Sequence, residues 1–261
     1  IYLFYLYKKI FFKLFICILL NLFNCDSFIF TYKPSISKNK LVTFGPGGLT
    51  GFYTLGVTSY LKDNYNLTDY SFLGASAGSW NALLLTCKHN NSAVIDDLLS
   101  QNMYNKSTSV VNLLSDIKTY VETAYESDDF DLNKFYVSVS VFNFFRFKPR
   151  VLYNFTSLQD ATQGCFYSSY IPFLTGKVSF LYLKRLIFDG GVGKFPPKHI
   201  DSYFDVYPSM WGRQFTSKDH FVYPIDSNNY FKNIYQLGYN DSIKNKETLD
   251  LYFPRLNNLE F

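Results

Sequence analysis

YSFLGASAGSWNALLLTC, from Tyr70 to Cys87, decides the fold. Tyr70–Gly74 is a short apolar run of the kind that forms a buried strand, and SWNALLLTC continues as an apolar helix. Between them stands Gly74-Ala75-Ser76-Ala77-Gly78, a G-x-S-x-G turn. A residue at the tip of so sharp a strand-to-helix turn crowds its neighbours, so the flanking positions must lack side chains. The helix N-terminus then aims free N–H groups at whatever the serine touches. The bland alternative is a glycine-rich cap in which Ser76 serves only as the helix N-cap.

The same order of elements precedes this stretch. Leu41–Gly45 reads as a buried strand, GPGGLTG (Gly45 to Gly51) as a glycine loop, and FYTLGVTSYLKDN as a helix ending in Asn64. Strand, tight turn and helix, twice over, predict an α/β domain with a mostly parallel sheet and helices on both faces. Downstream, residues 92–126 look helical and amphipathic. Residues 136–145 alternate as a strand does, 150–154 is its neighbour, and 157–168 is helical. Leu186–Phe188 is a short strand leading into Asp189-Gly190-Gly191. Beyond residue 200 the chain reads as loop-rich and aromatic, with a last helix over 230–247.

Two further groups complete the candidate site. Gly47 and Gly48, with Gly51, let backbone approach a ligand closely and aim amides at an anion, here the oxyanion of a tetrahedral intermediate. A glycine loop after a first strand also fits dinucleotide binding, but the carboxylates about 20 positions on, Asp63 and Asp69, lie at the end of the helix and in the loop after it, not where a ribose-binding acid is expected. Asp189 lies 113 residues beyond Ser76, at the end of a strand where α/β sites are built. By itself DGG is a turn.

The composition narrows the function classes. Of 261 residues, 48% are hydrophobic and 18% charged, which excludes a disordered chain. Net charge is +4, with no basic run of the kind that tracks nucleic acid. Such a weakly basic surface suits an anionic membrane. Cys17, Cys25, Cys87 and Cys165 form no CxxC pair, which argues against a zinc site, and they read as packed thiols, with a disulfide as the alternative. Neither a metal nor a cofactor is expected.

Residues 1–30 form an apolar leader in which Lys8, Lys9 and Lys13 precede Leu14–Phe23, the order of a signal peptide or membrane anchor. A buried first helix is the alternative. Residues 31–40 read as a linker, 41–250 as the domain and 251–261 as a tail. Membrane association or entry to the secretory pathway follows from the leader. Five sequons begin at Asn66, Asn90, Asn105, Asn154 and Asn240, and some would be glycosylated in a eukaryotic lumen.

Taken together and in order, these blocks resemble the patatin-like phospholipase family, and are most similar to its adiponutrin and adipose triglyceride lipase branch. The resemblance rests on the glycine loop running into GFYTLGVTSYL, on LGASAGSWNALLL, on SSYIPFLTG at Ser168–Gly176, on IFDGGVGKFPP at Ile187–Pro197 and on FKNIYQLGYNDSI. It covers roughly residues 41–245. It implies a three-layer α/β fold and a Ser–Asp dyad without histidine, in which Ser76 is the nucleophile and Asp189 the base. Gly47, Gly48 and the Ala77 amide map onto the oxyanion hole. Gly74, Gly78, Gly51, Gly190 and Gly191 complete the motifs. The implied substrate is a membrane glycerolipid or lysophospholipid.

The loop departs from the family pattern in one place: Pro46 stands where the family has its first glycine, and proline has no N–H to donate. Thr50 stands where many bacterial members carry Arg. Two alternatives remain. One is a weakened or inactive lipid-binding protein of the same fold. The other is a Ser–His–Asp hydrolase drawing on His199 or His220.

Overall fold

The computed structural model of the chain describes residues 40–100, 109–143, 146–171, 180–182, 185–198, 200–224 and 226–256. The leader, most of the linker, Cys17, Cys25, Asn105, His199 and the end of the SSYIPFLTG block lie outside the described residues.

The domain is α/β around a seven-stranded mixed sheet. In chain order its elements are β1 (Lys40–Phe44), α1 (Gly51–Asn64), β2 (Tyr70–Ala75), α2 (Ala77–Thr86), α3 (Asn91–Ser100) and α4 (Val110–Ala124). They continue as β3 (Phe135–Asn143), β4 (Arg146–Leu152), α5 (Leu158–Ser168), β5 (Phe180–Tyr182), β6 (Arg185–Phe188) and β7 (Phe204–Val206). Three helices close the chain: α6 (Ser217–Phe221), α7 (Ser227–Lys244) and α8 (Lys246–Asp250). Strands β7, β1, β2 and β3 run parallel in that order, while β4 and β6 pair antiparallel with β3.

The register of β3 places the site. Val137 and Ser138 each pair with both β2 and β4, whereas Ser140 and Val141 each pair with both β4 and β6. A strand has only two edges, so β2 and β6 share the edge opposite β4. They meet there head-on. Ala75 ends β2 opposite Ser138, Phe188 ends β6 opposite Ser140, and only Val139 separates the two levels. Ser76 and Asp189 are the first residues past those two ends. Asp189 thus reaches the C-terminal end of β2 from a strand antiparallel to β2 and β3, in a sheet expected to be mostly parallel and found to be mixed.

Alternation along the strands feeds two cores. Val42, Phe44, Phe72, Val137 and Val139 join the large cluster with the helices, while Leu41, Leu73 and Tyr136 join a smaller one with Ile200 and Phe195. The elbow helix α2 is anchored at both ends. Lys62 donates to the carbonyls of Leu84 (3.1 Å) and Cys87 (2.7 Å), neutralising its C-terminal end. Near its start, Asn81 donates to Thr54 Oγ1 at 2.6 Å, tying it to α1.

Some expectations are refined. The helical stretch over 92–126 shows two helices among the described residues, α3 and α4. The loop-rich reading beyond residue 200 omits β7 and α6, and β5 has no counterpart in the sequence reading. Cys87 and Cys165 are free and buried, as packed thiols should be.

Candidate functional site

Ser76 sits at φ 54° and ψ −129°, a backbone conformation that costs a non-glycine residue on the order of 1–3 kcal/mol. The turn is as crowded as the motif requires. A Cβ on Gly74 would lie 2.3 Å from the Gly78 carbonyl oxygen, and one on Gly78 would lie 2.2 Å from the Phe44 carbonyl oxygen. Ser76 is the N-cap residue of α2, yet its hydroxyl makes no capping hydrogen bond. The simple cap reading therefore fails for the side chain, which is left for another partner.

Asp189 lines the same cavity as Ser76. Its Oδ1 accepts the Gly191 N–H at 2.7 Å, while Oδ2 is buried with no hydrogen-bond partner. Burial pushes the carboxyl up to about 6. The Ser76 side chain and the Gly191 amide pull the other way, since both favour the anion. Asp189 Oδ2 is therefore a buried acceptor with its lone pairs unused, on a carboxyl whose anion the Ser76 side chain favours.

Ser168, at the end of α5, welds the two halves together. Its Oγ accepts the Ser76 N–H at 2.7 Å and donates to the Ser138 carbonyl at 2.6 Å. Its carbonyl accepts the Gly190 N–H at 2.8 Å. The Tyr170 carbonyl takes the Asp189 N–H at 2.7 Å. A lone serine at a helix end gives no motif, so this residue escapes sequence reasoning, although it opens the SSYIPFLTG block.

The glycine loop faces the same space. Gly47, Gly48, Gly51, Ser76, Ala77, Asp189 and Gly191 all line one cavity of about 480 Å³. Among the described residues, neither the Gly48 nor the Ala77 N–H donates a hydrogen bond. Pro46 packs on the DGG turn: a Cβ on Gly191 would lie 2.7 Å from its Cβ.

Away from these groups the cavity is apolar. It follows one stripe of α2 through Ala77, Trp80 and Leu84 to Cys87 just past the helix end, with Leu113, Ile117 and Val121 of α4 also lining it. At its mouth, Val192 and Phe221 line the cavity and are also 46% exposed.

Histidine takes no place between Ser76 and Asp189 among the described residues. His220 lines the cavity, but its Nδ1 lies 2.7 Å from the Gly47 carbonyl oxygen. His89 pairs with Asp129. No group of three or more His, Cys, Asp or Glu side chains could hold a metal among the described residues, and no helix among them is long and apolar enough to cross a membrane. Set beside known proteins, the chain matches no family model and no curated protein.

Proposed function

We propose that the chain is a lipid acyl hydrolase of patatin-like, three-layer architecture that cleaves carboxylic esters through a Ser76–Asp189 dyad. The observation that carries this reading is the unpartnered, buried Oδ2 of Asp189, beside a strained serine at the head of an apolar cavity.

In the first step Ser76 Oγ attacks the ester carbonyl carbon while Asp189 Oδ2 takes the hydroxyl proton. Burial supports this transfer, because a desolvated carboxylate is a stronger base than one in water. The amides of Gly47, Gly48 and Ala77 hold the oxyanion. Collapse breaks the ester C–O bond, and the departing alcohol takes the proton from Asp189. Water then attacks the acyl-enzyme with Asp189 again as base, releasing the fatty acid and restoring Ser76.

Cavity chemistry supports a lipid substrate. An acyl chain would lie against the α2 stripe, and exposed Val192 and Phe221 at the mouth suit contact with a glycerolipid or lysophospholipid at a membrane surface. The leader would deliver the chain to a membrane or the secretory pathway. There Asn66, Asn90, Asn154 and Asn240, all exposed, would be open to glycosylation.

Turnover of p-nitrophenyl esters by wild-type protein, Ser76→Ala and Asp189→Asn tests the proposal. Wild type should hydrolyse the ester and both variants should lose at least about a thousandfold in kcat. Turnover above about a tenth of wild type in Ser76→Ala removes Ser76 as nucleophile.

A further inference from the structure

We infer that His220 is a positioning residue that holds the Gly47–Gly48 peptide with its N–H turned into the site; the inference rests on the hydrolase reading above. Three donors converge on the Gly47 carbonyl oxygen. Thr50 Oγ1 donates at 2.7 Å, the Thr50 N–H at 3.1 Å, and His220 Nδ1 stands 2.7 Å away. A carbonyl oxygen has only lone pairs to offer, so Nδ1 must carry a proton. His220 Nδ1 also lies 3.0 Å from Thr50 Oγ1, which makes loop, threonine and imidazole one cluster.

The planar trans peptide transmits this clamp. Anchoring the Gly47 C=O on one side forces the Gly48 N–H to point the opposite way. Gly48 lines the cavity with Ser76, and its N–H has no hydrogen-bond partner among the described residues. Two consecutive glycines place little steric restraint on a peptide flip, and Gly48 already sits at φ +55°. A flip would turn the Gly47 carbonyl into the site, where it would repel an oxyanion. The clamp opposes that flip, and hydrogen bonding at the carbonyl also polarises the N–H.

The support behind His220 is itself built. It lies on α6, whose start is fixed by Thr216 and Asp219 in a reciprocal capping box. The His220 backbone closes over the loop, its carbonyl oxygen 2.4 Å from where a Cβ on Gly48 would stand. Because its Nδ1 is committed to Gly47, His220 serves the oxyanion side of the reaction and not the proton transfer.

Two readouts test this. In ester hydrolysis, His220→Phe keeps a ring but no donor and should lower kcat about 10- to 100-fold with KM little changed, at most the effect of losing an oxyanion donor. His220→Asn, which can donate an N–H from near the Nδ1 position, should recover to within a few-fold of wild type. Thr50→Val, which removes the second side-chain donor, should lower kcat in the same direction and stands in if His220→Phe fails to fold. In the resting wild-type protein, long-range 1H–15N spectra should show His220 protonated at Nδ1. Unchanged kcat in His220→Phe, a neutral ring protonated only at Nε2, or equal losses of several orders of magnitude in Phe and Asn variants each overturn the inference, the last making His220 the base. Wild-type protein without ester turnover overturns the hydrolase reading and the inference with it, whereas an active wild type with an unaffected His220→Phe overturns the inference alone.

Discussion

The Oγ of Ser168 accepts the backbone N–H of Ser76 at 2.7 Å, so the G-x-S-x-G turn hangs from the end of α5. The same hydroxyl reaches the Ser138 carbonyl on β3, and the Ser168 carbonyl holds Gly190. One residue therefore fixes the spacing between the end of β2, where Ser76 stands, and the end of β6, where Asp189 stands.

Ser168→Ala should leave the buried Ser76 N–H and the Ser138 carbonyl without this partner, at a cost of roughly 1–3 kcal/mol in stability. Activity should fall by more than stability alone explains, because the elbow loosens relative to Asp189. Urea denaturation and kcat measured on the folded variant check both. Full kcat in a folded Ser168→Ala protein would show that the elbow needs no such support.

Asp189 gives a pH signature. Its pKa is raised to about 6 by burial, so the base is lost as pH falls through that value, and kcat/KM should show an acid limb near pH 6. The stability effect has the opposite sense. A carboxyl whose folded pKa is raised holds its proton more tightly in the native state, so its contribution to stability falls as pH rises from about 4 to above 6. Asp189→Asn escapes this penalty, which is on the order of 2–3 kcal/mol at pH 8. The variant should therefore be inactive yet at least as stable as wild type at pH 8, with the advantage fading below pH 4. Thermal melts of both proteins across that range decide it. A variant less stable than wild type at pH 8 would mean that the carboxylate is a structural group.

Much of this arrangement is legible in the sequence, and what is not has physical reasons. β1, α1, β2 and α2 are readable because their apolar runs are bounded by glycines with one steric purpose. Gly56 and Gly238 are less readable. They let α1 and α7 cross so closely that a Cβ on Gly238 would lie 2.0 Å from the Tyr53 carbonyl oxygen, but glycine inside a helix signals a contact without naming its partner. The three-residue strands β5 and β7 are too short to show a period. α6 had a signal, the capping-box pair Thr216 and Asp219, in a stretch otherwise polar enough to read as loop. The convergence of His220 on Gly47 spans 173 residues and has no local pattern at all.

If the cavity holds the acyl chain, its length implies a chain-length preference. It follows α2 from Ala77 to Cys87, which at 1.5 Å of rise per residue is about 15 Å. An extended acyl chain gains about 1.3 Å per carbon–carbon bond, so roughly 12 carbons fit. Cys87→Phe should fill the far end and lower kcat/KM for dodecanoyl esters several-fold more than for butanoyl esters, the short ester serving as the folding control. Equal effects on both would move the acyl chain elsewhere.

Asp241 is the structural counterpart of the site carboxylate. It accepts from Arg213 Nη2 at 2.7 Å and from the Tyr53 hydroxyl at 3.0 Å, and Arg213 holds its pKa below the ordinary carboxylate range. Asp241→Ala leaves the buried Tyr53 hydroxyl without its acceptor while Arg213, 36% exposed, turns to solvent, and should cost about 1–3 kcal/mol in denaturant unfolding. A loss under about 1 kcal/mol would show that the cluster is solvated.

The central claim is that Ser76 is the nucleophile and Asp189 its base. Intact-mass and peptide-mapping spectrometry after incubation with an alkyl fluorophosphonate tests it most directly, because the reagent bonds to an activated serine. One adduct is expected, on Ser76, with none on Ser76→Ala and labelling slowed by orders of magnitude in Asp189→Asn. An adduct on another serine, or labelling of Ser76 at an unchanged rate in Asp189→Asn, would contradict it.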